Sequence, residues 1–216
     1  LGIVDRVEVL TGSAGALYGN AAGGVLSFTS EAPQAPVSAR IRAIGGSFGT
    51  SKWQGVAGGM RGRTSGLVSL SRFNTDGFRQ HGGATATTFT GKLDLLLNRR
   101  SSLGLRFSAS DAPRAENPGA LTVAEYAKTR DSAASSNILR GADKSLSQQQ
   151  LSLRYRWLDG RGAELEVTAF GLRRNLDNPL ATAPPAPVTP TSGTYSTIGR
   201  VAGGIRAEAT LPIGAP

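Results

Sequence analysis

Residues 4–33 read VDRVEVLTGSAGALYGNAAGGVLSFTSEAP, and the interpretation of this stretch decides what kind of chain follows it. Arg6-Val7-Glu8-Val9-Leu10 alternates polar and apolar side chains, and Val25-Leu26-Ser27-Phe28-Thr29 does so again. A period of two places alternate side chains on opposite faces of a strand, so the stretch predicts two short strands. Gly12, Gly15, Gly19, Gly23 and Gly24 lie between them or at their ends and allow positive φ or close backbone approach. No Gly-Lys-Ser/Thr follows these glycines, which argues against a phosphate-binding loop. On the residues alone, this is a glycine-rich hairpin placed directly before a long series of alternating segments.

Past a short hinge at residues 33–36, bounded by prolines, those segments read as strands at about 37–46, 51–60, 65–74, 85–97, 102–111, 146–157, 162–173 and 197–211. Leu103, Leu105, Phe107 and Ala109 alternate with Gly104, Arg106, Ser108 and Ser110. Leu151, Leu153, Tyr155 and Trp157 alternate with Gln150, Ser152, Arg154 and Arg156. A wall between lipid and a wet lumen needs this dyad repeat, although a soluble sandwich shows it too, with the apolar face turned inward. The connections separate the two architectures. Short turns (Arg61-Gly62-Arg63-Thr64, Asn98-Arg99-Arg100-Ser101, Asp159-Gly160-Arg161) alternate with longer loops at about 75–84, 112–145 and 174–196. Tight turns on one rim and long polar loops on the other are the rule of outer-membrane barrels. The arginines of the short turns read either as solvated turn residues or as cations set at headgroup level to attract anionic lipid.

Composition agrees with a wall better than with a soluble core. Hydrophobic residues make up 39%, aromatics 6%, and 29 of 216 residues are glycine, a thin supply for an ordinary core of that length. No apolar run of about 18 residues exists, which excludes a helical span but is blind to strands that cross with about ten residues each. Cysteine is absent and His81 is the one histidine, so a zinc site or a histidine-based triad is not expected. The net charge of +9 is spread over strands and turns without a basic cluster, which argues against nucleic-acid binding. The chain opens on Leu1-Gly2-Ile3-Val4 without the features of an export signal, so an exported protein is expected to begin upstream of it.

The first stretch resembles the end of the plug domain of TonB-dependent outer-membrane receptors, whose usual form is I-E-R-V-E-V-L-R-G-P-x-S-x-L-Y-G-x-x-A-x-G-G-V-I-N. Arg6, Glu8, Val9, Leu10, Gly12, Leu17, Tyr18, Gly19, Ala22, Gly23, Gly24 and Val25 fall on that pattern. Two positions depart from it: Thr11 stands where the family usually has a basic residue, and Ser13 where it often has proline. Further on, Gly45-Gly46-Ser47-Phe48-Gly49-Thr50 resembles the family's first strand pair, Asn74-Thr75-Asp76-Gly77-Phe78-Arg79 its T-D-G-[YF]-R segment, and Asn117-Pro118-Gly119-Ala120-Leu121-Thr122 with Glu125 its P-G-x-L-T-x-x-E loop. Asp143-Lys144, the stretch from Arg173 to Leu180, and Arg200 continue the similarity to ferric-siderophore and ferric-citrate receptors.

The resemblance implies an all-β fold: a fragment of a plugged transmembrane antiparallel β-barrel, with residues 1–34 closing the plug and residues 35–216 forming about eight strands of a wall of about 22. It implies import of a metal chelate, with a ferric siderophore as the expected cargo, by energised movement of the plug. No bond is made or broken and no cofactor or resident metal is needed. The implied partners are the chelate, outer-membrane lipid and the TonB energy-transducing complex, whose contact box is missing from this stretch, in the outer membrane of a Gram-negative bacterium. Arg6, Glu8, Gly12, Tyr18, Gly19, Gly23 and Gly24 are the plug-motif residues, with structural or gating roles. Phe78, Arg79 and His81 in a long loop, with Arg106 and Arg154 in the wall, are the candidate ligand contacts. A lumen lined by Arg40, Arg42, Arg106, Arg154, Arg156 and Arg200 would steer an anionic chelate; equally, each arginine could pair with Asp94, Glu164, Glu166 or Glu208. The rival readings are a small unplugged outer-membrane barrel with a structural or adhesive role, an enzyme in a small barrel, and a soluble β-sandwich.

Overall fold

A computed structural model describes residues 3–12, 23–33, 36–180 and 194–212. Strands β1 (Val4–Thr11) and β2 (Gly24–Ser30) pair antiparallel in a sheet of their own, from Thr11 opposite Gly24 to Val4 opposite Ser30. Gly24 has φ +125, and a Cβ there would lie 2.5 Å from the Leu10 carbonyl oxygen. Only glycine fits at that corner.

The second sheet is an antiparallel meander of eight strands in chain order: β3 (Ser38–Gly45), β4 (Ser51–Arg61), β5 (Thr64–Thr75), β6 (Ala84–Leu96), β7 (Ser101–Ala115), β8 (Ser145–Leu158), β9 (Glu164–Leu180) and β10 (Thr194–Thr210). Each of the eight predicted strands is present. Two short helices, α1 (Val123–Lys128) and α2 (Ser135–Arg140), lie in the connection after β7.

Cross-strand register decides which residues share a face, because directly opposed residues of an antiparallel pair point to the same side. Following it from strand to strand, Ile41 faces Gly55, Gly55 faces Leu70, Leu70 faces Phe89 and Phe89 faces Ala109. One step along, Leu105 faces Leu153, Leu153 faces Ala169 and Ala169 faces Ile205. The alternation of each strand therefore sums to one continuous apolar face, and that face is uncovered: Ile41 is 81% exposed, Leu70 55% and Ile205 77%. Among the described residues only Val56, Leu67, Ala133 and Ala142 are buried apolar side chains. Among the described residues no second sheet covers this face, as a soluble sandwich would require. The opposite face carries Arg42, Gln54, Ser69, Thr88, Lys92, Asp94, Arg106, Arg154 and Glu166.

The rims are unequal, as the connections predict. β4 and β5 join through the two residues 62–63, and the turns after β6 and β8 are short. The opposite rim carries the loops at 46–50, 76–83 and 116–144. Two expected loops prove shorter because strands run on past their predicted ends, β7 to Ala115 and β9 to Leu180. Pro113, beyond the expected end of β7 at 111, sits within a register shift opposite Thr85 to Thr87, where a bulge needs no ladder N–H. Pro179 similarly lies beyond Asp177, the last residue of β9 with a β8 partner; its carbonyl takes the Asp143 N–H on that side, so its missing N–H breaks no ladder bond.

Candidate functional site

Three places bring functional groups together. The first is where the hinge meets the wall. Lys92 Nζ, on the polar face of β6, donates to the carbonyls of Ser30 (3.3 Å) and Glu31 (2.9 Å), and Arg40 of β3 pairs with Glu31 at 2.9 Å. The chain leaving the two-stranded sheet thus lies against the polar face. A cleft of about 250 Å³ is left between Glu31, Pro33, Arg40, Val56 and Leu67. Of the predicted motif residues, Arg6 and Glu8 pair with each other at 3.3 Å on exposed β1, and Gly12 has φ +100. Gly23 has open space at its Cβ position and Gly24 closes the β1–β2 corner; Tyr18 and Gly19 lie outside the described residues.

The second is a ladder of charges across the polar face. Asp94 on β6 accepts from Arg106 on β7 at 2.8 and 2.9 Å; Arg154 on β8 stands 4.0 Å from Asp94 and 3.9 Å from Glu166 on β9. One strand step lower, Arg156 pairs with Glu164. Arg106 and Arg154 are therefore held by carboxylates, the ion-pair alternative of the sequence reading. Register exposes a different pair: Arg174 on β9 stands directly opposite Arg200 on β10, and neither has an ion pair among the described residues. Two like charges side by side destabilise each other until an anion joins them. The residue types alone did not single out Arg174, because its partner is 26 positions away in sequence (200 minus 174) and meets it only through pairing.

The third is the long-loop rim, where loops 76–83 and 116–144 are bolted together. Arg79 donates from Nε to the Ser132 carbonyl (3.0 Å), and from its two terminal nitrogens to Gly119 (2.7 Å) and Pro118 (3.3 Å). His81 places Nε2 2.7 Å from the Ala142 carbonyl and Nδ1 3.9 Å from Glu116, whose other oxygen accepts the Gly83 N–H. Both side chains spend polar atoms on loop backbone. The Asp-Gly-Phe segment is shaped the same way: Gly77, at φ +81, has its Cβ position 2.3 Å from the Gly82 carbonyl oxygen, and Thr75 Oγ1 takes the Gly77 N–H. These contacts leave Phe78 exposed, edge-on to Phe48 at 5.4 Å between centroids.

Beside Phe78 lies a hollow of about 340 Å³ between Arg79, Leu121, Val123, Tyr126 and Arg130. The guanidinium of Arg130 sits 5.5 Å from the centre of the Tyr126 ring. Thr122 and Glu125 form a capping box that starts α1 at this hollow. The Thr122 backbone N–H and hydroxyl donate to the Glu125 carboxylate and hold its pKa below the usual value. The sequence reading placed α1, Val123 and Tyr126 in a loop; the T-x-x-E spacing of Thr122 and Glu125 is the helix-start signal that points to them. Phe78 and Arg79 thus share one hollow, His81 braces the loop behind them, and Arg106 lies nine strand residues below the Ala115 end of β7, about 30 Å away. Aromatic walls with cationic edges suit a planar or anionic ligand. No group of His, Cys, Asp or Glu able to hold a metal occurs among the described residues.

No protein-family model matches the chain. Solved structures do. The ferric citrate transporter FecA in its unliganded form superposes with a TM-score of 0.71 at 18% identity, covering 85% of this chain and 28% of that one. The ferric yersiniabactin uptake receptor FyuA from Yersinia pestis gives 0.70 at 19%, covering 84% and 30%. The ferric-catecholate import receptor Fiu from E. coli K12 gives 0.64 at 14%, covering 92% and 34%. The chain spans about a third or less of the length of these proteins, and over that span it has their fold, that of a plugged antiparallel β-barrel.

Proposed function

We propose that this chain supplies the end of the plug (residues 1–34) and the first strands of the wall (residues 35–216) of a TonB-dependent outer-membrane receptor that imports a metal chelate, with a ferric siderophore as its cargo. One observation carries the reading. The wall exposes a band of apolar residues across all eight strands on one side, while the segment leaving the two-stranded sheet is pinned by Lys92 and Arg40 to the charged face on the other. An apolar face of strands 8 to 17 residues long suits contact with outer-membrane lipid, since about ten residues cross the hydrocarbon. The charged face suits a wet lumen, and a chain tethered to it at Ser30 and Glu31 suits the end of a plug.

Ferric chelates are commonly anionic and too large for ordinary porins. The rim hollow of Phe78, Tyr126 and Arg130 would take the chelate first, and the Arg174–Arg200 pair below it would draw the anion inward. Import itself would follow when the TonB complex pulls the plug and breaks the hinge contacts. An unplugged eight-stranded barrel is disfavoured, because its interior is just wide enough for side chains and leaves no room for the two-stranded module.

The test is uptake of labelled iron, presented as ferric siderophores, by cells with and without the intact protein. Loss of uptake on deletion, restored by the gene but not by an Arg174→Gln, Arg200→Gln variant at low chelate concentration, is expected. Normal iron uptake with loss of vitamin B12 uptake in the deletion strain would replace the siderophore by cobalamin.

A further inference from the structure

The apolar face is not smooth. Near the tight-turn rim it carries a groove of about 580 Å³ whose lining is almost wholly apolar. Its floor is made by Gly66, opposite Leu93, and Gly91, opposite Val68, while Val37 sits over Gly59 and closes the β3 side. Leu93 and Phe107 rise beside them as walls. From Thr64 to Val68 the groove follows four residue steps of β5, about 14 Å of strand, which is about half of a hydrocarbon core ~30 Å thick. Its depth therefore matches one leaflet.

The mouth of the groove is cationic. Arg61 lies on the same face, in the last ladder pair of β4 with Thr64, and Arg63 follows in the turn. The neighbouring turn after β6 adds Arg99 and Arg100, and neither turn contains an acidic residue. None of the four arginines has an ion pair among the described residues. A trench facing hydrocarbon cannot stay empty without its lining losing dispersion contacts, so an acyl chain fills it and is restrained by walls on both sides. Unpaired cations at headgroup level then select among headgroups by charge.

We propose that this groove is a binding site for an anionic phospholipid, one acyl chain lying over Gly66 and Gly91 beside Val37 and the phosphate meeting Arg61 and Arg63. The site rests on the membrane reading of the apolar face but is independent of the cargo. The test uses the intact protein in phosphatidylcholine vesicles containing a trace of spin-labelled phosphatidylglycerol or spin-labelled phosphatidylcholine, with the motionally restricted fraction read by electron paramagnetic resonance. Restricted phosphatidylglycerol is expected to exceed restricted phosphatidylcholine about fivefold for each arginine engaged. Arg61→Gln with Arg63→Gln should remove the preference, while Arg61→Lys should keep it. Gly91→Leu should lower the restricted fraction of both lipids, since a Cβ there meets only the Phe89 ring at an ordinary 3.5 Å. Equal restriction of the two lipids, or a preference that survives the double arginine change, would overturn the site. Heat-modifiable gel mobility reports insertion separately: a protein that never enters the vesicles overturns the membrane reading and the groove with it.

Discussion

Replacing Lys92 by methionine keeps the length of the side chain and removes its charge, which isolates the polar contact between hinge and wall. Two hydrogen bonds are lost, at 2.9 Å to Glu31 and 3.3 Å to Ser30. A bond from a charged donor contributes about 1.5–3 kcal/mol, and the longer of these two sits at the weak end of hydrogen-bond geometry. The part-buried pair together should therefore hold the hinge by about 2–3 kcal/mol. The Arg40–Glu31 pair competes for the same role, but at 50% and 29% side-chain exposure it belongs with surface ion pairs, worth about 0.2–1 kcal/mol. The ammonium contact should dominate. Amide exchange by mass spectrometry on the peptide spanning 24–36 reads the difference, because local opening sets the exchange rate. Lys92→Met should speed exchange there by roughly 30- to 160-fold, with peptides of β7 and β8 unchanged, whereas Arg40→Gln should speed it by less than about fivefold. If the two variants behave alike, or if Lys92→Met leaves the peptide protected, the hinge is held by something other than this contact.

Three further outcomes follow from particular geometries. Gly77→Ala puts a Cβ 2.3 Å from the Gly82 carbonyl at φ +81, so loop 76–83 should become a site of rapid limited proteolysis, with a loss of about 1–2 kcal/mol or more in local stability. The Glu125 pKa is depressed by its bonds from Thr122, so the capping box contributes stability above the unfolded carboxylate pKa and loses it as pH falls through the depressed value; a pH titration of Thr122 amide exchange should show this, and Thr122→Ala should abolish it. Asp94→Asn leaves Arg106 and Arg154 without their shared carboxylate, so its effect on thermal unfolding should be non-additive with Arg106→Gln in a double-mutant cycle.

Much of the architecture was legible in sequence because period-two patterning is a local property. Each strand of the meander announced itself through residues such as Leu103, Leu105 and Phe107, and the short turns through Gly62 and Asn98. Two strands ran past their expected ends at 111 and 173 and take in Pro113 and Pro179, whose cost depends on whether a neighbour needs their N–H, and only the neighbouring strand decides that. Helix α1 was encoded in Thr122 and Glu125 but short enough to be taken for loop.

The site divides along the same line. Sequence by itself determined the alternation, the unequal rims, the glycine corner at Gly24 and the supply of arginines. Tertiary structure decided which arginines are spent and which are not, because side chains distant in sequence meet through strand pairing and loop packing. Asp94 takes Arg106, Arg79 is turned onto three loop carbonyls, and Arg174 is left facing Arg200. Composition cannot tell a paired charge from a free one, since Coulomb interaction depends on separation. Separations between strands are fixed only when the register is.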